Sequence, residues 1–269
     1  MNEKVVWIKG AGELGSAVAV SLRRVGLRVL LSEIETPLAI RRTVAFSDAV
    51  FGESVKEVEG IPSKLTILND HKRVMDNGAI PIVVDQKGII DAVIPDIIVD
   101  ARMLKIKVKS MIHDARLTVG LGPGFTSGEN CHAVIENSRG HSLGKIIWDG
   151  SAISDTGIPG KLGGETVRRV IRAVSSGRIE WDIDFGEKVV AGQSLGLING
   201  QNKVISSVSG IVRGLISQKI PVTKNLKIAD IDPRGSAVNF HEISDKARCI
   251  ARGVMESIFT VYPNYQKIE

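Results

Sequence analysis

Aromatic residues are scarce. Phe, Trp and Tyr together make up 4% of the chain, which argues against a surface that stacks successive bases and leaves the core to Val, Ile, Leu and Ala. Cysteine is nearly missing: Cys131 and Cys249 are the only two in 269 residues. That is too few for a disulfide framework, so free thiols in a cytoplasmic protein are expected. Long apolar runs are lacking. The richest stretch, 79–101, is broken by Asp85, Gln86, Lys87, Asp91 and Asp96, so it falls short of the roughly 18 uninterrupted apolar residues of a membrane-spanning helix. The first fifteen residues hold no apolar segment of signal-peptide length. A strong excess of one charge is also missing. The 35 Lys and Arg against 30 Asp and Glu leave +5, a weak field that favours small anions and is too diffuse to imply nucleic acid. Neither nucleic acid nor a membrane is therefore an expected partner, whereas a homo-oligomer is compatible with the sequence.

What remains is ordinary globular composition, 43% hydrophobic and 24% charged. At roughly 150 residues per domain the length implies two modest domains. The first half reads as α/β. Val5–Ile8 is a short apolar run of the buried-strand kind, and Leu14, Val18, Leu22 and Val25 recur at helical spacing before Gly26. Further apolar runs at 28–31, 80–84, 97–100 and 117–121 suggest a parallel sheet covered on both faces. The segment 35–68 is ambiguous, with 36–42 a loop or short helix. From 179 to 233 short strands alternate with Gly, Asn and Ser turns such as Asn199-Gly200-Gln201-Asn202, the texture of an all-β module. Ile243, Ala247, Ile250, Val254 and Ile258 then mark a helix that packs back. The expected architecture is a Rossmann-like α/β domain over 1–150, a barrel-sandwich-like all-β module over 151–240 and a C-terminal helix over 241–269.

Gly10-Ala11-Gly12-Glu13-Leu14-Gly15 fits G-x-G-x-x-G between an expected strand and an expected helix. In that pattern the first glycine permits a tight turn, the second admits a pyrophosphate to the backbone and the third lets helix and strand pack. The helix start adds free N–H donors and partial positive charge. Glu33 follows Gly15 by 18 residues, about where an acid receives a ribose hydroxyl. Glu13 departs from the pattern by placing a negative charge beside the phosphate position. The alternative is a purely structural strand–helix turn. Arg41 and Arg42 could clamp phosphate as forks, or lie solvated on the surface. Gly122-Pro123-Gly124-Phe125-Thr126 belongs to a run with four glycines in nine positions, a plausible anion nest. Cys131, His132, Glu136 and His141 are close in sequence but match no strong zinc spacing. A Cys131–His132 nucleophile is a weaker reading than a buried structural thiol. Thr156–Gly160 reads equally well as a linker or as a functional turn.

Gly186–Leu195 and Ser209–Val212 resemble the two halves of biotinyl and lipoyl carrier domains. Lys203 stands too close to Gly210 for the modified lysine at the hairpin tip, so the resemblance implies the shape without the covalent cofactor.

Several stretches together, namely 10–15, 40–47, 122–126, 132–136, 139–144, 156–160, 231–234 and 243–248, resemble the YqeB-like family of accessory proteins linked to selenium-dependent molybdenum hydroxylases. The resemblance covers nearly the whole chain. It implies a maturation role, in which the molybdenum cofactor is handled, modified or inserted for a hydroxylase apoprotein partner. Cys131 departs from what the resemblance leads one to expect there, and no catalytic residue is implied. The expected ligand is a pyrophosphate-containing small molecule, a molybdopterin dinucleotide or NAD, at Gly10, Gly12, Glu13, Leu14, Gly15, Glu33, Arg41 and Arg42, with Gly122–Thr126 as an opposing wall. Two rival readings stay open. One is an NAD-dependent oxidoreductase on a small metabolite, although no Tyr-x-x-x-Lys occurs. The other is a non-catalytic docking scaffold.

Overall fold

The computed structural model describes residues 4–263. Two compact units divide them. The first takes 4–35, Ala45–Asp155 and 243–263; the second takes Thr36–Val44 and Thr156–Glu242.

The first unit is built on one mixed sheet. Its strands are β1 (Val5–Lys9), β2 (Arg28–Glu33), β3 (Lys56–Val58), β4 (Ile61–Leu65), β5 (Ile80–Val84), β6 (Ile97–Asp100), β7 (Leu117–Leu121), β9 (Ala133–Ile135) and β10 (Ile146–Ile147). They lie in the order β10-β9-β7-β6-β1-β2-β5-β4-β3. A small pair, β8 (Thr126–Ser127) with β11 (Gly150–Ser151), stands apart. The interior strands run parallel, Trp7 sitting opposite both Leu30 and Ile98. At the edges β3 pairs with β4, and β10 with β9, antiparallel. The central strands are apolar on both faces because both are covered.

Helices are few. They are α1 (Glu13–Arg24), α2 (His71–Asp76), α3 (Ile89–Val93) and α4 (Asp245–Val261). α1 starts where Gly12 caps it without a side-chain bond and ends at Val25, with Gly26 turning at φ 85°. It is buried almost all round, from Gly15 to Val20 and at Leu22, because α4 packs over it. α4 is capped by Ser244, whose side chain accepts the Ala247 N–H, and it buries Ala247, Ile250, Ala251, Val254 and Ile258. Each fully buried Ile or Val among these is worth roughly 1.5–3 kcal/mol. The other sheet face carries Trp7, Leu30, Val83, Ile98, Phe125 and Cys131.

The second unit holds β12 (Val170–Arg172), β13 (Ile179–Trp181), β14 (Lys188–Val189), β15 (Ser194–Ile198), β16 (Asn202–Ile205), β17 (Gly210–Leu215) and β18 (Lys227–Asp232). They form two antiparallel sheets, β12-β18-β17-β14 and β13-β15-β16. Asn199 and Gly200, at φ 55° and 66°, turn β15 into β16. Arg169 pairs with Asp230, and Arg213 and Arg234 with Asp232, all but Arg234 buried. Lys203 lies within β16.

The expected fold class does not hold. A Rossmann-like domain needs successive crossovers that lay helices on both faces of a parallel sheet. Here the sheet is nine-stranded and mixed. The β6–β7 crossover carries no helix, and the longest helix comes from the far end of the chain. The other half of the expectation, an all-β barrel-sandwich-like module, fails as well. The second unit splits into two separate sheets, includes residues 36–44, and has 3-10 turns at Arg42–Val44 and Gly235–Ala237. The glycine pattern misled because it reports only a strand, a turn and one helix. How the remaining strands are connected lies in long-range pairing that no local motif records.

Candidate functional site

The glycine turn lies at the carboxyl end of β1, in mid-sheet. The Gly10 N–H donates to Ser32 O at 2.8 Å, and the Ser16 hydroxyl donates to Ala11 O at 2.8 Å while accepting the Phe46 N–H at 2.8 Å. The three glycines have different reasons to be glycine. Gly10 takes φ 93°, and a Cβ there would meet the Ala101 backbone at 3.2 Å. A Cβ on Gly15 would lie 1.9 Å from the Gly10 carbonyl oxygen. Gly12 has φ −68° and ψ −173°, ordinary extended backbone, and a Cβ on it would meet nothing within 4 Å.

Two acids flank the turn. Glu33, ending β2, accepts the Ala11 N–H on Oε2 at 2.8 Å and the Ile34 N–H on Oε1 at 2.9 Å. Burial pushes its carboxyl above the ordinary range, the two amides oppose that rise, and the nearby Asp85 charge adds to it. Glu13 turns aside from the glycines. Its Oε1 accepts the Ser244 hydroxyl at 2.7 Å, at the cap of α4. The charge feared beside the phosphate position is thus spent on joining two helices. Leu14 follows it, half-buried in the first turn of α1.

The second glycine stretch is occupied by the protein itself. Phe125 is buried, and its ring fills the space beside Gly120, where a Cβ would fall 2.1 Å from Cγ. Gly122 at φ 74° would press on Asn137, and Gly124 at φ 102° on the Ile106 carbonyl. Pro123 is half-buried between them. The Thr126 N–H donates to Asn130 Oδ1 at 2.8 Å, and its hydroxyl meets that of Ser151 at 2.8 Å. The chain from Ala101 to Ile106 runs past both stretches, touching Gly10 and Gly15 at Ala101 and Gly124 at Ile106. Met103 and Lys105 hold positive φ there, 57° and 61°. Such backbone strain clusters at functional sites.

Arg41 and Arg42 belong to the second unit. Arg41 is buried, and its Nη2 donates to Glu242 O at 3.3 Å. Arg42 lies over the Phe185 ring, 5.8 Å from its centroid. Cys131 is fully buried; desolvation, first, pushes its thiol up to about 12. His132 Nδ1 accepts the Thr118 N–H at 3.1 Å, and burial together with His113 lowers its pKa. Glu136 accepts two backbone amides, from Ser138 and Ile153. His141 is exposed. Among the described residues no three His, Cys, Asp or Glu side chains gather closely enough to hold a metal ion, and no helix is long and apolar enough to cross a membrane.

Sequence reasoning missed a mixed cluster of charges around Lys246. Lys105, Arg139 and Lys246 lie close enough for Lys246 to feel both of the others as well as Glu13 and Glu136. Arg139 forks onto Asp245 at 2.8 and 3.1 Å, and Lys105 reaches Asp155 at 3.0 Å. Burial, then Arg139, lowers the Lys246 pKa. Their positions in the sequence are too far apart for any local pattern to unite them.

By its fold and turn this is a protein with a mixed central sheet and a glycine-rich strand–helix turn at the sheet's carboxyl edge. Over 259 residues the chain is 40% identical to the uncharacterized protein YqeB of Escherichia coli strain K12, a match that takes in 96% of this chain and 48% of that protein. The resemblance to the YqeB-like family is thereby supported along nearly all of this chain, which spans about half the length of that relative. No family model matches. Solved structures that resemble it include an aspartoacylase family protein from Mesorhizobium loti, at 11% identity over 86% of this chain and 85% of that one, with a TM-score of 0.28. A succinylglutamate desuccinylase/aspartoacylase from Rhodobacter sphaeroides follows at 14% identity over the same shares, with a TM-score of 0.27. Likenesses this weak establish no common activity.

Proposed function

We propose that the chain binds a pyrophosphate-containing ligand at the Gly12 turn and acts as an accessory protein in the maturation of a selenium-dependent molybdenum hydroxylase. The observation that carries the binding reading is Gly12 itself. Gly10, Gly15, Gly120, Gly122, Gly124 and Gly128 each take left-handed φ or have no room for a Cβ, whereas Gly12 has neither constraint. Nothing inside the protein requires glycine there, and a ligand approaching the backbone at the start of α1 would. A molybdopterin dinucleotide fits that demand as well as NAD does, since both carry a pyrophosphate. The maturation role rests on the YqeB-like stretches.

A second reading, NAD-dependent oxidoreduction, is favoured by Glu33, which stands against Ala11 where a ribose acceptor belongs. A nicotinamide absorbance assay separates the two: turnover of a metabolite supports the oxidoreductase, and tight binding without turnover supports the accessory role.

The test is Gly12→Asp. Its Cβ enters open space at an ordinary φ, so the variant keeps the wild-type melting temperature within a few degrees. Its carboxylate meets the phosphates, and affinity for NAD or a molybdopterin dinucleotide falls at least tenfold in calorimetry. Unchanged affinity for both ligands overturns the reading.

A further inference from the structure

In the first unit β2 and β5 are neighbours, but they do not pair along their whole length. β2 begins at Arg28 and β5 at Ile80, yet their pairing starts only at Leu31 opposite Ile82. Each strand keeps its other neighbour through this stretch, since Arg28 lies opposite Val5 of β1 and Ile80 opposite Ser63 of β4. The two strands therefore part toward their amino ends. A cleft of about 280 Å³ lies there, lined by Arg23 from the last turn of α1, Arg28 and Val29 from β2, and Met75, Asp76 and Ala79 from the end of α2 onward. That volume is close to the lower end of small-molecule sites, roughly 300 Å³. The cleft lies at the opposite edge of the sheet from the Gly12 turn and shares no residue with it.

Among the lining residues two guanidinium groups stand against one carboxylate. Arg28 Nη1 donates to Asp76 Oδ1 at 2.8 Å, which uses one of the five N–H donors of a guanidinium. Arg23 is half-buried, and among the described residues its guanidinium has no hydrogen bond or ion pair. Its neighbour Arg24, by contrast, is exposed and bonds Glu59 through both terminal nitrogens. A cation in the last turn of α1 offsets the helix dipole, and Arg24 on the surface already does so. Val29 and Met75 are buried and give the cleft an apolar floor. The carbonyl ends of α1 and α2 both lie at this edge. Together with Asp76 they oppose a second negative charge on a ligand, whereas the planar fork of Arg23 matches the two oxygens of a single carboxylate.

We propose that this cleft binds a small aliphatic monocarboxylate, with Arg23 forking onto the carboxylate, Arg28 adding a further donor and the hydrocarbon body resting on Val29 and Met75. The parted ends of β2 and β5 supply the room, and the unbonded guanidinium supplies the charge. The Gly12 turn takes no part, so loss of either site leaves the other intact.

The experiment titrates hexanoate into the full chain and follows backbone amides by two-dimensional NMR, with hexanamide as the neutral isostere and inorganic phosphate as the rival anion. In wild type the amides of Gly26, Val29 and Ala79 are expected to shift with hexanoate, while hexanamide binds at least tenfold more weakly and phosphate more weakly than hexanoate. Arg23→Gln removes a side chain with no bonded partner, so it should keep the wild-type melting temperature within a few degrees and weaken hexanoate at least tenfold. Asp76→Asn releases Arg28 and should tighten hexanoate severalfold; no tightening overturns the part given to Arg28. A wild-type chain that ignores tens of millimolar hexanoate, or that shifts only at amides away from the cleft, overturns the proposal. So does an Arg23→Gln variant that melts lower but binds hexanoate as before, because Arg23 would then serve the helix dipole alone. Phosphate bound more tightly than hexanoate overturns the carboxylate assignment. Gly12→Asp should leave hexanoate affinity unchanged, and a parallel loss would place the anion at the turn instead of the cleft.

Discussion

Gly12 and Gly15 are written with the same letter three positions apart and answer to different masters. Gly15 serves packing: its missing side chain is the space in which the Gly10 carbonyl sits, 1.9 Å from where a Cβ would be. Gly15→Ala should therefore cost about 1–3 kcal/mol through forced displacement of the turn, read as a lower urea midpoint at unchanged slope, in contrast to the silent folding expected of Gly12→Asp. A variant as stable as wild type would mean that α1 can shift without loss. Cys131 makes a similar point. A thiol beside a histidine in the sequence invites thoughts of a nucleophile, yet burial drives Cys131 to about 12 and His132 is engaged by Thr118.

At the level of elements the joint between α1 and α4 depends on Glu59. Its carboxylate receives the Ile243 N–H at 2.9 Å, Arg248 at 2.6 Å and Arg24 at 3.2 Å. Desolvation alone would raise its pKa, but the Ile243 amide and the two arginines outweigh that and hold it below the ordinary carboxylate range. A depressed carboxylate contributes stability that is complete above its unfolded value, about 4.3, and is lost as the pH falls through the native one. Glu59→Ala should destabilise by about 1–3 kcal/mol at neutral pH, and thermal melts at pH 7 and pH 3 should show a smaller gap between variant and wild type at the acid end. An equal gap at both would assign the loss to packing instead.

The same elements show what was legible beforehand. β1, the turn, α1 and β2 follow one another within thirty residues, and local periodicity reveals them. α4 was legible too, because Ile243, Ala247, Ile250, Val254 and Ile258 repeat along one face and all are buried. The edges were not. β3 and β4 lie in the segment 35–68, where polar residues and Pro62 conceal short strands that exist only by pairing with each other and with β5. At the candidate site the glycines and Glu33 could be read from spacing. The Arg139–Lys246 neighbourhood could not, since its members are brought together only by the docking of α4.

For the molecule as a whole, the two units are interleaved along the chain. The first unit is left at residue 35, resumed at 45, left again at 155 and completed only by residues 243–263. A chain stopped after Glu242 lacks the helix that buries α1, and it should lose the cooperative thermal transition of the first unit while the strands from β12 to β18 keep their protection in hydrogen exchange. A shortened chain that melts as sharply as the full one would show that α4 is dispensable.

This ordering bears on synthesis. As the polypeptide leaves the ribosome, β1 through β11 are out long before α4, so the apolar surface of α1 stays uncovered while nearly ninety residues of the second unit are translated. A chaperone that shields helical apolar surfaces has its natural opportunity in that interval. Slow codons placed just before the final helix would lengthen the exposure and lower the yield of native protein, although every amino acid remains the same.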